Sequence, residues 1–196
     1  MKISIVGTGY VGLVTGVCLS DIGHDVTCID VDEAKIEKMK AGISPIYEPG
    51  LDELMAKNIK NGRLRFTSNL SEGYGHAEIV YIAVGTPENP DGTANLSYIQ
   101  NAAKDIAQNV TQDVIVVTKS TVPVGTNEFV KKTILENLAK DVNIEVASNP
   151  EFLREGSAIH DTYHGDRIVI GTESARAADI LEEVNKPFNI PIFKTD

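Results

Sequence analysis

Three glycines, in Gly7-Thr-Gly9-Tyr10-Val11-Gly12, have the spacing with the most direct chemical consequence in this chain. The pattern is G-x-G-x-x-G, which binds a dinucleotide only when a strand precedes it and a helix follows. Ile3, Ile5 and Val6 form a short apolar run of strand character before it. After it Val11, Val14, Leu19 and Ile22, with small Gly16 among them, read as an amphipathic helix. In that order Gly7 makes the tight turn, Gly9 admits a pyrophosphate to the backbone, and Gly12 lets the helix pack close to the strand. Tyr10 and Val11 open the helix, whose unpaired N–H groups and partial positive charge suit phosphate.

A second candidate stands downstream. Gly23-His24 stops the helix, and Asp25-Val-Thr-Cys-Ile-Asp30 reads as a second strand ending in an acid 18 positions after Gly12. The motif asks for an acid roughly 20 residues on. A carboxylate there accepts hydrogen bonds from the adenosine ribose and repels a 2′-phosphate, which selects NAD. Lys35 is either a second reach toward that ribose or a solvated helix lysine; the pattern supports both. The plainer alternative is a simple strand-to-helix turn with Asp30 opening a solvated loop.

The elements that must position these residues follow from periodicity. Asp32 is the expected cap of a helix from Glu33 to Ala41, and Gly42 ends it. A turn-rich loop, Ser44-Pro-Ile-Tyr-Glu-Pro-Gly50, leads to a helix carrying Leu51, Leu54 and Met55, which ends near Asn61-Gly62. Leu64–Thr67 is a short strand, and 71–76 a polar connection. Ile79–Val84 and Val114–Lys119 are near-continuous apolar runs of the kind a doubly covered parallel strand shows. Between them Ser97 and Gln100 suggest a capping box for a helix to about Asn109. A helix with Phe129, Val130, Ile134 and Leu138 precedes a strand at 144–148. Such alternation predicts an α/β fold of Rossmann type, doubly wound, its sheet mainly parallel with helices on both faces. Gly85-Thr86, Ser120-Thr121 and Asn149-Pro150-Glu151 each follow a strand, so all three should line one crevice at the strands' carboxyl ends. Glu151 there either serves in acid–base chemistry or caps the following turn.

The last quarter is less regular. A loop with His160, Asp161, His164, Asp166 and Arg167 precedes a strand at 167–171, a helix at 174–185 and a final strand at 190–193. The His and Asp residues match no metal-ligand spacing, so turn and hydrogen-bonding roles are expected and no metal.

Composition narrows the function classes. A 42% hydrophobic, 23% charged chain of 196 residues is that of an ordinary globular protein with a substantial core. A formal net charge of −10 argues against nucleic-acid or anionic-membrane surfaces. Cys18 and Cys28 lie in apolar helix and strand pattern, suggest no metal site and fit a reducing cytosol; a cytoplasmic location is expected. No signal peptide or bilayer-spanning run is apparent.

Five segments together carry a resemblance: Gly7-Thr-Gly-Tyr-Val-Gly12, Tyr47-Glu-Pro-Gly-Leu51, Val84-Gly-Thr-Pro87, Ser120-Thr-Val-Pro-Val-Gly125 and Asn149-Pro-Glu-Phe-Leu-Arg-Glu155. In this order the chain resembles the UDP-glucose 6-dehydrogenase family, among the nucleotide-sugar dehydrogenases, over essentially its whole length. The resemblance implies oxidation of C6 of a nucleotide sugar, UDP-glucose, from alcohol to carboxylate with two NAD molecules. It implies that the glycines, Tyr10, Val11, Asp30 and Lys35 hold the adenosine and pyrophosphate, and that Thr86, Thr121 and Glu155 flank the ribose and nicotinamide end. Thr121 and Glu151 should face the reacting carbon as catalytic residues, and Glu151, Phe152, Leu153 and Arg154 should touch the sugar nucleotide.

The family continues with a central helix, which carries most dimer contacts, and a second domain with a catalytic lysine, an asparagine and a cysteine nucleophile. Residues 1–196 are therefore expected to be the NAD-binding domain with a strand–helix–strand extension, inactive alone and a homodimer at full length. A sibling acting on GDP-mannose or a UDP-N-acetyl sugar is the nearest alternative, and a non-catalytic NAD-binding sensor module the other.

Overall fold

Every residue of Ile79–Ile82 and Val114–Thr118 is buried, as central strands covered on both faces must be. The computed structural model describes all residues, Met1–Asp196. Its strands are β1 (Lys2–Val6), β2 (Asp25–Ile29), β3 (Leu64–Thr67), β4 (Ile79–Ile82), β5 (Val114–Thr118), β6 (Ile144–Ser148), β7 (Ile168–Gly171) and β8 (Ile192–Thr195). The helices are α1 (Tyr10–Asp21), α2 (Glu33–Lys40), α3 (Leu51–Lys60), α4 (Leu70–Tyr74), α5 (Ser97–Asn109), α6 (Thr126–Asn137), α7 (Ala158–His164) and α8 (Ala175–Asn185).

One eight-stranded sheet runs in the order β3-β2-β1-β4-β5-β6-β7-β8. The chain winds outward from β1 to β3, then returns to place β4 on β1's other side, with Ile5 opposite both Cys28 and Tyr81. That reversal puts the switch point between β1 and β4, where a doubly wound sheet leaves a crevice for ligand. All pairings are parallel except β6 with β7, joined antiparallel through Ser148 and Gly171. The expected fold class holds.

Alternation along the strands sends side chains into two cores. Ile3, Ile5, Tyr81, Ile115 and Val117 pack under α1, α2, α3, α7 and α8. Val80, Ile82, Val114 and Val116 pack under α4, α5 and α6. No helix is long and apolar enough to cross a membrane.

Several boundaries differ from expectation for local reasons. Residues 71–76 do not form a plain connection: α4 is one short helix, capped where Asn69 Oδ1 accepts from Glu72 N–H at 3.2 Å. The capping box at Ser97 does not form. Ser97 is already helical, and its N–H donates to Asn95 Oδ1 at 2.9 Å, an Asx turn displacing the serine from the cap. The loop holding His160 and His164 is the seven-residue α7, too short for its period to register. The last strand begins at Ile192 rather than Ile190, because Pro191 has no N–H for the ladder and only its carbonyl pairs, accepting from Ile168 at 2.9 Å.

Candidate functional site

The glycine turn is built by close approach. Gly7 sits at φ +93°, and a Cβ added there would lie 2.6 Å from the Ala83 carbonyl oxygen. A Cβ on Gly12 would lie 1.9 Å from the Gly7 carbonyl oxygen, so the start of α1 is pressed onto the turn itself. Gly16 adds a second close approach of helix to strand, where a Cβ would meet Cys28 Sγ at 2.5 Å. Gly9 is the opposite case, since a Cβ there would meet nothing within 4 Å. The first helical bond runs from Leu13 N–H to Gly9 O at 3.0 Å. The amides of Tyr10, Val11 and Gly12 therefore precede the helical ladder and have no i−4 partner in it. Open space over Gly9 beside unpaired amides is a cradle that fits a diphosphate.

Asp30 closes the far end of this turn. Its Oδ2 accepts from Thr8 N–H at 3.0 Å, from the Thr8 hydroxyl, and from Lys35 Nζ at 2.9 Å; Oδ1 accepts from Asp32 N–H at 3.1 Å. Asp32 in turn caps α2 through Lys35 N–H at 3.0 Å, which brings the lysine round to Asp30. Burial pushes the Asp30 carboxyl upward, but the bonds from Thr8 and Lys35 outweigh it and hold the group below the usual carboxylate range. The result is a fixed anion beside the glycine turn, suited to a ribose diol and hostile to a 2′-phosphate. Asp30→Asn keeps an acceptor for Thr8 and removes the charge. We expect NADH to bind wild type more tightly than NADPH, and the substitution to reduce that preference by about 1.4–2.8 kcal/mol, ten- to a hundredfold. Fluorescence titration of both cofactors decides it; an unchanged ratio would remove Asp30 from the cofactor site.

The other predicted residues gather at the carboxyl ends of β4, β5 and β6. The Thr86 hydroxyl donates to the Thr121 carbonyl oxygen at 2.8 Å, and the Ser120 hydroxyl to Val84 O at 2.6 Å, tying two loops into one wall. Glu151 Oε2 accepts from Leu153 N–H at 2.6 Å. The carboxylate thus caps its own turn with one oxygen while lining the cavity beneath. Arg154 is committed elsewhere: Nε and Nη2 donate to the two oxygens of Asp161 at 3.0 and 2.6 Å. That pairing holds Asp161 well below the usual carboxylate range and staples the 150–156 loop to α7. Phe152 is exposed, with the Arg167 guanidinium 5.2 Å from its ring centre. Leu153 packs on the core edge, and Glu155 is exposed.

Two residues escaped the sequence reading. Glu48 is 6% exposed, and its carboxylate gathers three segments. It accepts from the Tyr10 hydroxyl, from Gly156 N–H at 2.9 Å and from Ile159 N–H at 3.2 Å. Tyr10 therefore spends its hydroxyl on this junction, tying the first turn of α1 to the loop after β6. The signal in the sequence is the Tyr47-Glu-Pro-Gly-Leu51 segment, one of the five that carry the resemblance. Lys119 is the second: half-buried at the end of β5, it donates to Asn149 Oδ1 at 3.1 Å. Both cysteines are buried, and desolvation pushes each thiol up to about 12. A thiol so placed supplies no thiolate near neutrality.

A doubly wound sheet with this glycine cradle at its switch point and an acid at the end of β2 defines the dinucleotide-binding domain of an oxidoreductase. Residues 1–189 match the UDP-glucose/GDP-mannose dehydrogenase family, NAD binding domain. The chain belongs to that family, a group of NAD-dependent nucleotide-sugar dehydrogenases, and NAD is the cofactor of this domain. It is 62% identical over 196 residues to UDP-glucose 6-dehydrogenase YwqF of Bacillus subtilis, covering all of this chain and 44% of that one. It is 53% identical over 191 residues to UDP-glucose 6-dehydrogenase of Rhizobium meliloti, covering 95% and 43%. Among solved structures, a UDP-glucose dehydrogenase from Pyrobaculum islandicum matches with TM-score 0.96 and 42% identity, over all of this chain and 46% of that chain. A GDP-mannose dehydrogenase from Pseudomonas aeruginosa matches with TM-score 0.93 and 37% identity over a like share. The chain thus spans less than half the length of these relatives.

Proposed function

We propose that residues 1–196 form the NAD-binding half of a UDP-glucose 6-dehydrogenase, a Rossmann-type domain extended by β7, α8 and β8. The observation that carries this reading is the convergence of the Thr86–Thr121 wall and the Glu151 turn at the strand ends that also hold the glycine cradle. Bound NAD supplies the hydride acceptor. The residues of this chain do the rest: the α1 amides and Asp30 seat the dinucleotide, while Thr86, Thr121 and Glu155 flank its reactive end. Thr121 and Glu151 act at the reacting carbon, positioning water or moving a proton. Phe152 and Leu153 contact the sugar nucleotide. Arg154, which lines the same cavity, contacts the sugar nucleotide and holds that loop through Asp161. The choice of UDP-glucose over GDP-mannose or a UDP-N-acetyl sugar is supported by the Bacillus and Rhizobium relatives.

Oxidation from alcohol to acid needs a nucleophile to hold the aldehyde, a role suited to a thiolate. Cys18 and Cys28 are sealed in the core, so on this reading the nucleophile lies in the second domain that the resemblance implies. The 196-residue chain should bind NADH and show no turnover. A full-length form should reduce NAD with UDP-glucose at a kcat/KM about 10²-fold or more above GDP-mannose and UDP-N-acetylmannosamine, since polar subsites reject mismatched hydroxyls strongly. Absorbance of NADH measures both. Faster turnover of either competitor favours the sibling reading, and sustained turnover by the chain carrying Cys18→Ser and Cys28→Ser would refute the division into halves.

A further inference from the structure

Strand alternation places Lys119 on the face of the sheet where Ile115 and Val117 enter the larger core. The chain breaks out of β5 at this residue, which lines a cavity of about 420 Å³ together with the 150–154 loop. Its hydrogen-bond partner is neutral, Asn149 Oδ1 at 3.1 Å. Asn149 is 5% exposed and held from two further sides: its backbone N–H donates to Thr118 O at 3.0 Å and its Nδ2 to Val169 O at 2.9 Å. Lys119 thus completes the locking of the residue from which Pro150 and Glu151 project. Glu151 lines the same cavity, and its charge attracts the ammonium.

The other groups around the cavity do not replace that attraction. From α7, Asp161 is already bound to Arg154 of the Glu151 loop, and the rings of His160 and His164 meet at a tilt of 44° with centres 4.7 Å apart. From the turn before β7, Arg167 lies over Phe152 and Asp166 is exposed. From β4, Tyr81 is a neutral phenol, its pKa pushed up to about 12 by burial.

We propose that Lys119 is a positioning residue for Glu151: anchored on Asn149, its ammonium fixes the Asn149–Pro150–Glu151 turn and supplies the positive charge that the Glu151 carboxylate faces at the crevice floor. The proposal rests on the reading of Glu151 as the acid–base group. Burial lowers the Lys119 pKa to about 8, against the attraction of Glu151, which raises it. The ammonium is therefore charged below that pH and lost above it. Turnover should fall as pH rises through about 8.

The test has two arms. In the 196-residue chain, ¹³C NMR of the Lys119 ε-carbon follows its titration. Glu151→Gln removes the attraction, so the midpoint should drop by about one pH unit; an unmoved midpoint overturns the proposal. In the full-length protein, Lys119→Met should lower kcat about 10²-fold, as a misplaced reacting group does, leave NADH affinity unchanged and abolish the alkaline limb. Lys119→Arg, charged throughout, should restore activity and carry the limb to higher pH. Wild-type turnover and an unaltered limb in Lys119→Met also overturn it. If the full-length protein oxidises no nucleotide sugar, the functional reading fails, and the Lys119 midpoint alone judges the pairing.

Discussion

Replacing Gly12 by alanine abolishes NADH binding and lowers the melting temperature of the chain. The added Cβ would lie 1.9 Å from the carbonyl oxygen of Gly7 and 3.0 Å from its carbon, with the Ala83 side chain 3.1 Å away. Two of these are backbone atoms of the turn, and no side chain can rotate to make room. The start of α1 must therefore lift off the turn or drag Gly7 from the Ile29 carbonyl that its N–H reaches at 2.9 Å. Overpacking of this kind costs about 1–3 kcal/mol, against a total stability of roughly 5–15 kcal/mol. The chain still folds, with a melting point lower by about 2–12 °C. The amides of Tyr10, Val11 and Gly12, displaced from their common direction, lose the cradle. Gly9→Ala is the control: its Cβ meets no protein atom within 4 Å, and its backbone, φ −71° and ψ −167°, suits alanine. Stability should stay near wild type while NADH affinity falls, because the methyl enters the open space over the turn. Wild-type NADH affinity in Gly9→Ala would show that the diphosphate does not pass there.

How much of this was readable beforehand divides along the range of the interactions. The buried runs at 79–82 and 114–118, and the turn with its acid at Asp30, announce themselves because period, glycine geometry and spacing are local properties. Lys35 remained undecided between ribose and solvent; the cap at Asp32 resolves its geometry by turning the lysine toward Asp30. Glu48 could not be found this way. Its partners lie 38, 108 and 111 positions away, and nothing near it in the chain says that a proline-flanked glutamate will be buried among them. Arg154 shows a different limit: its partner Asp161 belongs to a helix whose seven residues carry too little periodicity to be separated from a loop. At Glu151 the sequence is compatible with capping a turn and with facing a substrate, and the geometry supplies the cap.

That ambiguity sets up the second large effect, which separates capping from catalysis at one position. In the full-length protein Glu151→Gln should lower kcat by about 10²–10⁴-fold, the usual contribution of a positioned acid or base, with NADH affinity little changed. Glutamine keeps a carbonyl oxygen where Glu151 Oε2 accepts from Leu153 N–H at 2.6 Å, so the turn survives and only the ionisable group is lost. Glu151→Ala removes the cap as well, and should add a loss of substrate affinity as the loop carrying Phe152 and Leu153 loosens. Thr121→Ala is the parallel case. Thr86 holds Thr121 through its carbonyl oxygen at 2.8 Å, a contact the substitution leaves intact, so the wall between the β4 and β5 loops stays in place while the hydroxyl goes. Its kcat should fall within the same range, by more than its NADH affinity. Steady-state kinetics saturated in both substrates measure the chemical loss, and NADH titration measures binding separately. If Glu151→Gln turns over like wild type and Glu151→Ala does not, the carboxylate is a cap alone; if Thr121→Ala turns over like wild type, its hydroxyl is only part of the crevice wall.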